Sequence, residues 1–206
     1  MLDVLLPLAC PGCGAAGGPL CSACADRLRG APRTAPPPGV DAWAAAFAYE
    51  GVARELVARV KYRNTRAVVP WLAAEMAAVV ARGALVVGEH GVPLVTWAPT
   101  TVSRRRARGF DPAEVLARPL ARRLGLRATR LLGRRGGPPQ TGLDAAARRV
   151  GPVFAARRRV PGHVLLVDDV ATTGATLAAA ARALRDAGAS RVVAVTAART
   201  PAPGTA

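Results

Sequence analysis

The 206-residue sequence has one lysine, two histidines and few aromatic residues, which make up 4% of it. It has no run of about 18 apolar residues, the length of a membrane-spanning helix, so no membrane insertion is predicted. Neither His90 nor His163 stands in a Ser/His/Asp order, so a hydrolase triad has no support. With few aromatic side chains, the chain offers little surface on which nucleic-acid bases could stack. A core of Ala, Val and Leu favours a parallel sheet covered by helices over a β-sandwich.

Acidic residues are also scarce. The chain has 13 acidic and 29 basic residues, a net charge of +16, and every basic residue except Lys61 is arginine. Compositional bias accounts for the choice of arginine over lysine, but it does not produce twice as many bases as acids. The charge favours a polyanionic partner, and its sign does not distinguish nucleic acid from a phosphorylated small molecule.

The chain divides by composition into four parts. All four cysteines lie in the first, residues 1–30; residues 31–40 form a proline-rich linker; residues 41–199 alternate between strand and helix patterns; residues 200–206 form a tail. The N-terminus lacks the basic region and the long apolar run of a signal sequence. A cytoplasmic location is therefore expected, where paired cysteines bind metal more often than they form disulfides.

Hydrophobic periodicity predicts an α/β domain. Strands are predicted over residues 42–49, 93–98, 164–167 and 191–196. Helices are predicted over residues 51–63, 70–82, 112–124 and 176–187. Residues 131–143 are rich in glycine and proline and are predicted to form a loop. This alternation favours a mainly parallel sheet flanked by helices, with a ligand at the carboxyl ends of the strands.

The most informative segment is residues 164–177. A buried aliphatic strand leads to Asp168 and Asp169, and a short loop with three threonines and Gly174 then enters a helix. A helix N-terminus favours phosphate, and glycine allows a close backbone approach. The two carboxylates can accept hydrogen bonds from a vicinal diol one sugar-length away, and they would favour a divalent ion. The segment therefore predicts a cradle for ribose 5-phosphate, although a strand–turn–helix with a threonine N-cap is the plainer alternative.

This segment resembles the phosphoribosyl pyrophosphate (PRPP) motif of type I phosphoribosyltransferases. The resemblance implies that Asp168 and Asp169 hold the ribose 2- and 3-hydroxyls. It also implies that the loop wraps the 5-phosphate. The loop residues concerned are Ala171, Thr172, Thr173, Gly174 and Thr176.

Further motifs resemble the ComF family, whose members carry this fold. Tyr49-Glu50-Gly51 with Lys61-Tyr62, residues 104–111 and residues 134–143 resemble three signatures of that family. The resemblance implies a type I phosphoribosyltransferase-like domain, with pyrophosphate held at residues 99–104, Mg²⁺ bound together with PRPP, and a flexible closing loop within residues 133–149. The phosphate contacts it implies are Thr100, Thr101, Arg104, Arg108, Arg134 and Lys61.

Two positions depart from the family pattern. Thr96-Trp97-Ala98-Pro99 stands where the family has Val-Pro-Val-Pro, and Asp111 stands where it has Asn. A carboxylate beside a polyanion pocket is expected to weaken binding unless an arginine neutralises it.

The cysteines form two pairs, Cys10-x-x-Cys13 and Cys21-x-x-Cys24, seven residues apart. Four thiolates at tetrahedral distance suit structural Zn²⁺, and similar N-terminal knuckles occur in ComF-family proteins. A redox role for the pairs is the weaker alternative, because no thioredoxin-like strand–helix setting accompanies them.

Two functional hypotheses follow. In the first, the protein is a phosphoribosyltransferase that moves ribose 5-phosphate from PRPP to an acceptor, with no general base identified. In the second, it is a non-catalytic protein that binds a nucleotide or single-stranded DNA, with partners in DNA uptake during competence, as the ComF resemblance implies. Steep salt sensitivity would favour the second, and loss of ligand on mutation of the acid pair would favour the first.

Overall fold

A computed structural model of the chain describes residues 9–16, 20–62, 66–83, 85, 93–134, 152–160 and 162–201. The helices are α1 (Ser22–Ala25), α2 (Gly51–Tyr62), α3 (Val69–Arg82), α4 (Val102–Arg108), α5 (Pro112–Arg123) and α6 (Ala175–Asp186). The strands are β1 (Ala42–Ala48), β2 (Leu94–Trp97), β3 (Leu132–Arg134), β4 (Phe154–Ala156), β5 (Gly162–Ala171) and β6 (Ala189–Arg199).

A four-stranded parallel sheet forms the centre of the molecule, in the order β1–β6–β5–β2. Its inner strands β5 and β6 are aliphatic on both faces, as expected of strands covered on both sides. Leu165 and Val167 face one part of the core, and Val164 and Leu166 face the other. The predicted mainly parallel α/β sheet is thereby confirmed.

Helices cover both faces of this sheet. The α2, α3 and α5 helices place Leu56, Leu72 and Leu116 in the first part of the core, and α6 places Leu177 and Leu184 in the second. Because parallel strands share a direction, the carboxyl ends of β2 and β5 lie side by side, with Trp97 in register with Val167. Ligands of open α/β sheets bind at such an edge.

Two local predictions were wrong. Residues 132–134 form β3, which pairs antiparallel with β4. The prediction of a loop over residues 131–143 is therefore wrong for residues 132–134. Residues 135–143 lie outside the described ranges. The pairing partner lies 20 residues further on, where a local pattern cannot reveal it. Residues 102–108 form α4, for which no helix was predicted.

The strand predicted over residues 164–167 is longer than expected. β5 runs from Gly162 to Ala171 and pairs with β6 as far as Ala171 and Arg199. Asp168 and Asp169 therefore lie on the strand itself, with backbones fixed by the ladder, and not on the loop that follows. Over the described ranges, no helix is long and apolar enough to cross a membrane.

Candidate PRPP site and cysteine cluster

The acid pair lies near the carboxyl end of β5. Asp168 is 8% exposed, and one of its oxygens accepts a hydrogen bond from the Asp169 N–H at 2.8 Å. The other carboxylate, Asp169, forms an ion pair with Lys61 of α2, Nζ to Oδ2 at 3.1 Å. Burial raises the pKa of Asp168 well above its ordinary value, and the negative charge of Asp169 raises it further, against the opposing effect of Lys61. Ionisation of both carboxylates at once therefore costs free energy, and a bound cation or hydrogen-bond donor would lower that cost.

The loop that follows leads directly into α6. Gly174 is the N-cap, in the left-handed region with φ 77°, and Thr173 Oγ1 accepts a hydrogen bond from the Ala175 N–H at 3.3 Å. The plainer alternative had a threonine at the N-cap, whereas the N-cap is a glycine with a threonine one residue earlier. The first N–H groups of this 12-residue helix have no partner within the helix, so they can bind an anion.

A second loop, residues 98–101, lies beside the first at the end of β2. Thr101 caps α4 by accepting from the Arg104 N–H at 3.2 Å. α4 thereby begins immediately after the loop and carries Arg104 and Arg108 toward the acid pair.

Asp111 holds this second loop in place. Its Oδ2 accepts from the Thr100 N–H at 2.9 Å, and its Oδ1 accepts from the Ala113 N–H at 3.2 Å at the start of α5. Burial raises the pKa of Asp111, and the two backbone donors oppose that rise. Both carboxylate oxygens therefore accept from backbone N–H groups, and Arg134, which lines the same cavity, also interacts electrostatically with Asp111.

These groups surround one polar cavity of about 290 Å³. Its walls include eight of the residues proposed from the sequence: Lys61, Thr100, Arg104, Arg108, Arg134, Asp168, Asp169 and Thr176. Burial lowers the pKa of the Arg134 guanidinium, and the charge of Arg104 lowers it further. Two guanidinium groups that repel each other in a partly buried cavity favour an anionic ligand between them.

The other proposed residues lie next to the cavity and do not line it. Thr101 serves as the cap of α4, Ala171 is buried, and Thr172, Thr173 and Gly174 form the loop before α6. Of the proposed closing loop within residues 133–149, only the first two residues, in β3, belong to the described ranges.

Two contributors to the site were missed from the sequence. Tyr62 is 72% exposed at the cavity rim, and the Arg108 guanidinium lies 4.9 Å from its ring centroid. The available sequence signal was that Tyr62 follows the buried positions 52, 56, 57 and 60 of α2 and is not one of them. From the sequence, Asp111 was expected to weaken the binding of a polyanion, whereas in the structure its carboxylate positions Thr100 by accepting a hydrogen bond from the Thr100 N–H.

The four cysteines lie together at the N-terminus. Their sulfur atoms are all within 4.8 Å of one another, and Cys13 Sγ and Cys21 Sγ are 3.6 Å apart. Tetrahedral Zn–S bonds of about 2.3 Å place sulfur atoms about 3.8 Å apart. The cluster therefore fits a four-coordinate metal ion.

The surroundings favour thiolate at Cys10. Burial alone would raise the pKa of this thiol, but backbone N–H groups of Cys21, Cys13 and Gly12 lower it to about 6. Burial raises the pKa of Cys24 to about 12, and the neighbouring sulfurs add to the rise. Four thiolates this close need a cation between them, which structural Zn²⁺ would supply.

Gly12 makes room for the cluster. A Cβ at this position would lie 2.7 Å from Cys24 Sγ and 3.2 Å from Val52 Cγ1 of α2. Cys10 and Cys24 are themselves buried against the same core as α2. The cluster is therefore packed onto the α/β domain.

Comparisons with known proteins agree with this geometry. Residues 111–205 match the phosphoribosyl transferase domain family. No curated protein matched the chain.

Two solved structures illustrate the similarity. TT1426 from Thermus thermophilus is 20% identical, with a TM-score of 0.40 over 67% of this chain and 86% of that one. A purine phosphoribosyltransferase from Pyrococcus horikoshii is 17% identical, with a TM-score of 0.37 over 66% of this chain and 80% of that one. The domain match and the sheet topology together establish a type I phosphoribosyltransferase-like α/β fold, preceded by a four-cysteine cluster.

Proposed function

We propose that this protein binds PRPP, or a nucleotide carrying ribose 5-phosphate, and transfers the phosphoribosyl group to an acceptor. One observation carries the proposal. The acid pair Asp168/Asp169 and the cations Lys61, Arg104 and Arg134 surround one cavity next to the N-terminus of α6. A polyanion with a diol is the ligand that uses all three features.

Each part of PRPP has a matching part of the site. The ribose diol is assigned to Asp168 and Asp169, whose oxygens are acceptors. The 5-phosphate is assigned to residues 171–176 at the start of α6, where N–H and hydroxyl groups are donors. Pyrophosphate is assigned to Thr100, Arg104 and Arg134.

Magnesium would accompany the pyrophosphate, and the acid pair is chemically suited to it. When bound, the ion would neutralise charge on the leaving group. The residues of the chain would orient the anomeric carbon for attack. Its bond to the pyrophosphate oxygen breaks, the oxygen keeps the electron pair, and a new bond forms to the acceptor. Positioning and electrostatic stabilisation would account for most of the acceleration.

We further propose that the chain is a ComF-type protein with structural Zn²⁺ at residues 1–30, a linker at 31–40 and a phosphoribosyltransferase-like domain at 41–199. The closed set of four thiol ligands leaves no open coordination position, so the metal supports the fold and takes no part in catalysis.

Calorimetry with PRPP and Mg²⁺ tests the proposal. Saturable binding is expected for the wild type, and at least a 100-fold loss for Asp168→Asn/Asp169→Asn. Asp26→Asn/Asp186→Asn is the matched control, because it also removes two negative charges, but from two exposed residues. Folded wild-type protein that does not bind PRPP would overturn the proposal.

A basic surface outside the cavity favours the second candidate, binding of single-stranded DNA. Arg105, Arg106 and Arg130 line a separate groove of about 390 Å³ on the other side of α4. Residues 157–159 are three further arginines, which line a different groove. DNA affinity that falls steeply with salt and survives in Asp168→Asn/Asp169→Asn would support this function, and absence of DNA binding would exclude it.

A further inference from the structure

The central sheet has an open edge along β1. Strand β1 is the last strand of the sheet, and the backbone groups of its odd-numbered residues point toward β6. At its two ends, the Asp41 N–H donates to the Val192 carbonyl at 2.8 Å, and the Tyr49 N–H donates to the Arg199 carbonyl at 2.6 Å. Alternate residues of a strand direct both backbone groups to the same side. Ala42, Ala44, Ala46 and Ala48 therefore direct their N–H and C=O groups away from the sheet.

The chain preceding β1 covers only part of this edge. Ala31 N–H donates to Ala46 O at 3.3 Å, and Ala48 N–H donates to Arg29 O at 2.9 Å, an antiparallel pairing. Beyond Ala31, no backbone hydrogen bond joins residues 32–36 to β1, and the pairing ends there. Within the described ranges, the outward backbone groups of Ala42 and Ala44 have no hydrogen-bond partner.

A groove of about 600 Å³, which we call the edge groove, lies along these unpaired groups. Residues 42–46 form its floor, and residues 30–36 and the end of α3 form its walls. The wall is fixed in place, because Trp43 Nε1 donates to the carbonyls of Thr34 and Ala35 at 3.2 and 3.1 Å. Two strand residues with unpaired outward groups, Ala42 and Ala44, therefore lie beside a preformed wall.

The edge groove is positively charged. Arg33 and Arg82 are exposed, and Arg199 is 8% exposed with its guanidinium bound to Pro32 O and Thr34 Oγ1. Among the described residues, none of these three arginines forms an ion pair. Among the described residues that line the groove, the one acid is Asp41, which is already bound to Arg185 and to the Val192 N–H.

We propose that the edge groove binds an acidic peptide segment of another protein as an additional antiparallel β-strand. The peptide backbone would pair with Ala44 and Ala42, extending the register begun at Ala31, and its carboxylates would meet Arg33 and Arg82. Addition of a strand to a sheet edge is an established mode of peptide recognition, in which main-chain hydrogen bonds provide affinity.

Other occupants fit less well. A second copy of this chain would bring the same arginines to the interface, and residues 42–46, Ala-Trp-Ala-Ala-Ala, hold no acid to oppose them. Nucleic acid would satisfy the arginines, but its phosphates are acceptors and would leave the Ala42 and Ala44 carbonyls unpaired.

Fluorescence anisotropy with a labelled peptide of four Glu-Val repeats tests the proposal on the full-length protein. We expect saturable binding, and at least tenfold weaker binding of the Lys-Val peptide of equal length. The Glu-Val peptide with N-methyl groups on alternate residues is also expected to bind at least tenfold more weakly, because it loses two or more main-chain hydrogen bonds of about 1 kcal/mol each. No binding of the Glu-Val peptide, or equal binding of either altered peptide, would overturn the proposal.

Protein variants locate the peptide. Ala44→Pro removes one outward N–H, and proline is tolerated at such edge positions, so at least a tenfold loss is expected. Ala44→Val is the control, because it keeps the N–H, and thermal unfolding checks that both variants fold. Arg33→Gln/Arg82→Gln is expected to weaken binding of the Glu-Val peptide and should leave the fold intact.

Two results would overturn the assignment to an acidic peptide. One is unchanged affinity in both Ala44→Pro and Arg33→Gln/Arg82→Gln. The other is a wild-type dimer in sedimentation that Ala44→Pro converts to monomer, because a second copy would then occupy the edge groove.

Discussion

The cysteine cluster and the polar cavity are assembled in different ways. The cluster takes its four sulfurs from one short segment, residues 10–24, in which Cys21 and Cys24 belong to the start of α1 and to α1 itself. The cavity takes its walls from α2, α4, α5, β3, β5 and α6, and from the loop after β2, so its residues span positions 61–176. A site made from one short segment needs only local geometry, whereas a distributed site needs the whole sheet before any of its groups meet.

The two regions share the helix α2. Val52, near its start, lies beside Gly12 of the cluster, and Lys61, near its end, forms an ion pair with Asp169. Variants that affect one region and spare the other test whether the shared helix couples them.

The largest effect is expected for Cys24→Ser. With a ligand removed, zinc affinity should fall more than about 100-fold, since altering an outer-shell partner alone costs 10–100-fold. PRPP affinity should stay within threefold, because the cavity does not include the cluster. Metal analysis and calorimetry measure both, with Ser22→Ala on the same turn as the control. A parallel loss of PRPP binding would show that the two regions are coupled.

Removal of the Lys61 charge should have the next largest effect. We expect Lys61→Met to weaken PRPP binding about tenfold, since charge-assisted contacts contribute about 1.5–3 kcal/mol. Lys61→Arg should retain more affinity. Because Lys61 lowers the pKa of Asp168, that pKa should rise in Lys61→Met, as NMR titration would show. Unchanged affinity and unchanged titration would remove Lys61 from the site.

A smaller effect is expected at Gly12. The Cβ of Gly12→Ala would overlap Cys24 Sγ, so unfolding should become easier by about 1–3 kcal/mol and zinc affinity should fall. Gly30→Ala is the control, because its Cβ would meet nothing within 4 Å. Equal behaviour of the two variants in thermal unfolding would contradict the crowding at Gly12.

The smallest effect is expected for Asp168→Asn, which should raise stability at neutral pH. Burial and Asp169 raise the pKa of Asp168, so the folded protein favours the protonated form. That contribution is complete below the ordinary pKa of about 3.9 and is lost as pH rises through the raised value. The Tm advantage of Asp168→Asn, about 2–4 °C for 1 kcal/mol, should therefore shrink as pH falls from 8 to 5. Asp186→Asn, at an exposed acid, is the control for the loss of one carboxylate.

The same contrast explains what could be predicted from the sequence. Spacing alone identified all four cysteines, and the run from Val164 to Thr176 identified the acid pair and the loop before α6. Periodicity also identified the strands of the central sheet, because buried strands are continuous aliphatic runs.

The rest depended on long-range contacts. Lys61 meets Asp169 across 108 positions of sequence, and β3 exists because it pairs with β4. The function of Asp111 could not be read locally either, because it depends on where the Thr100 N–H lies. The open edge beside Ala44 follows from strand order, which no local pattern specifies.

The ion pair between Lys61 and Asp169 has a practical consequence. Lys61 is the only lysine of the chain, so its ε-amine is the only side-chain amine that acylating reagents can modify. Incorporation of one acyl group at this position would report on a single location, the wall of the cavity. Protection by any candidate ligand can then be followed by the mass of the peptide that carries Lys61, which separates this amine from the α-amino group, without a radioactive substrate and before an acceptor is known.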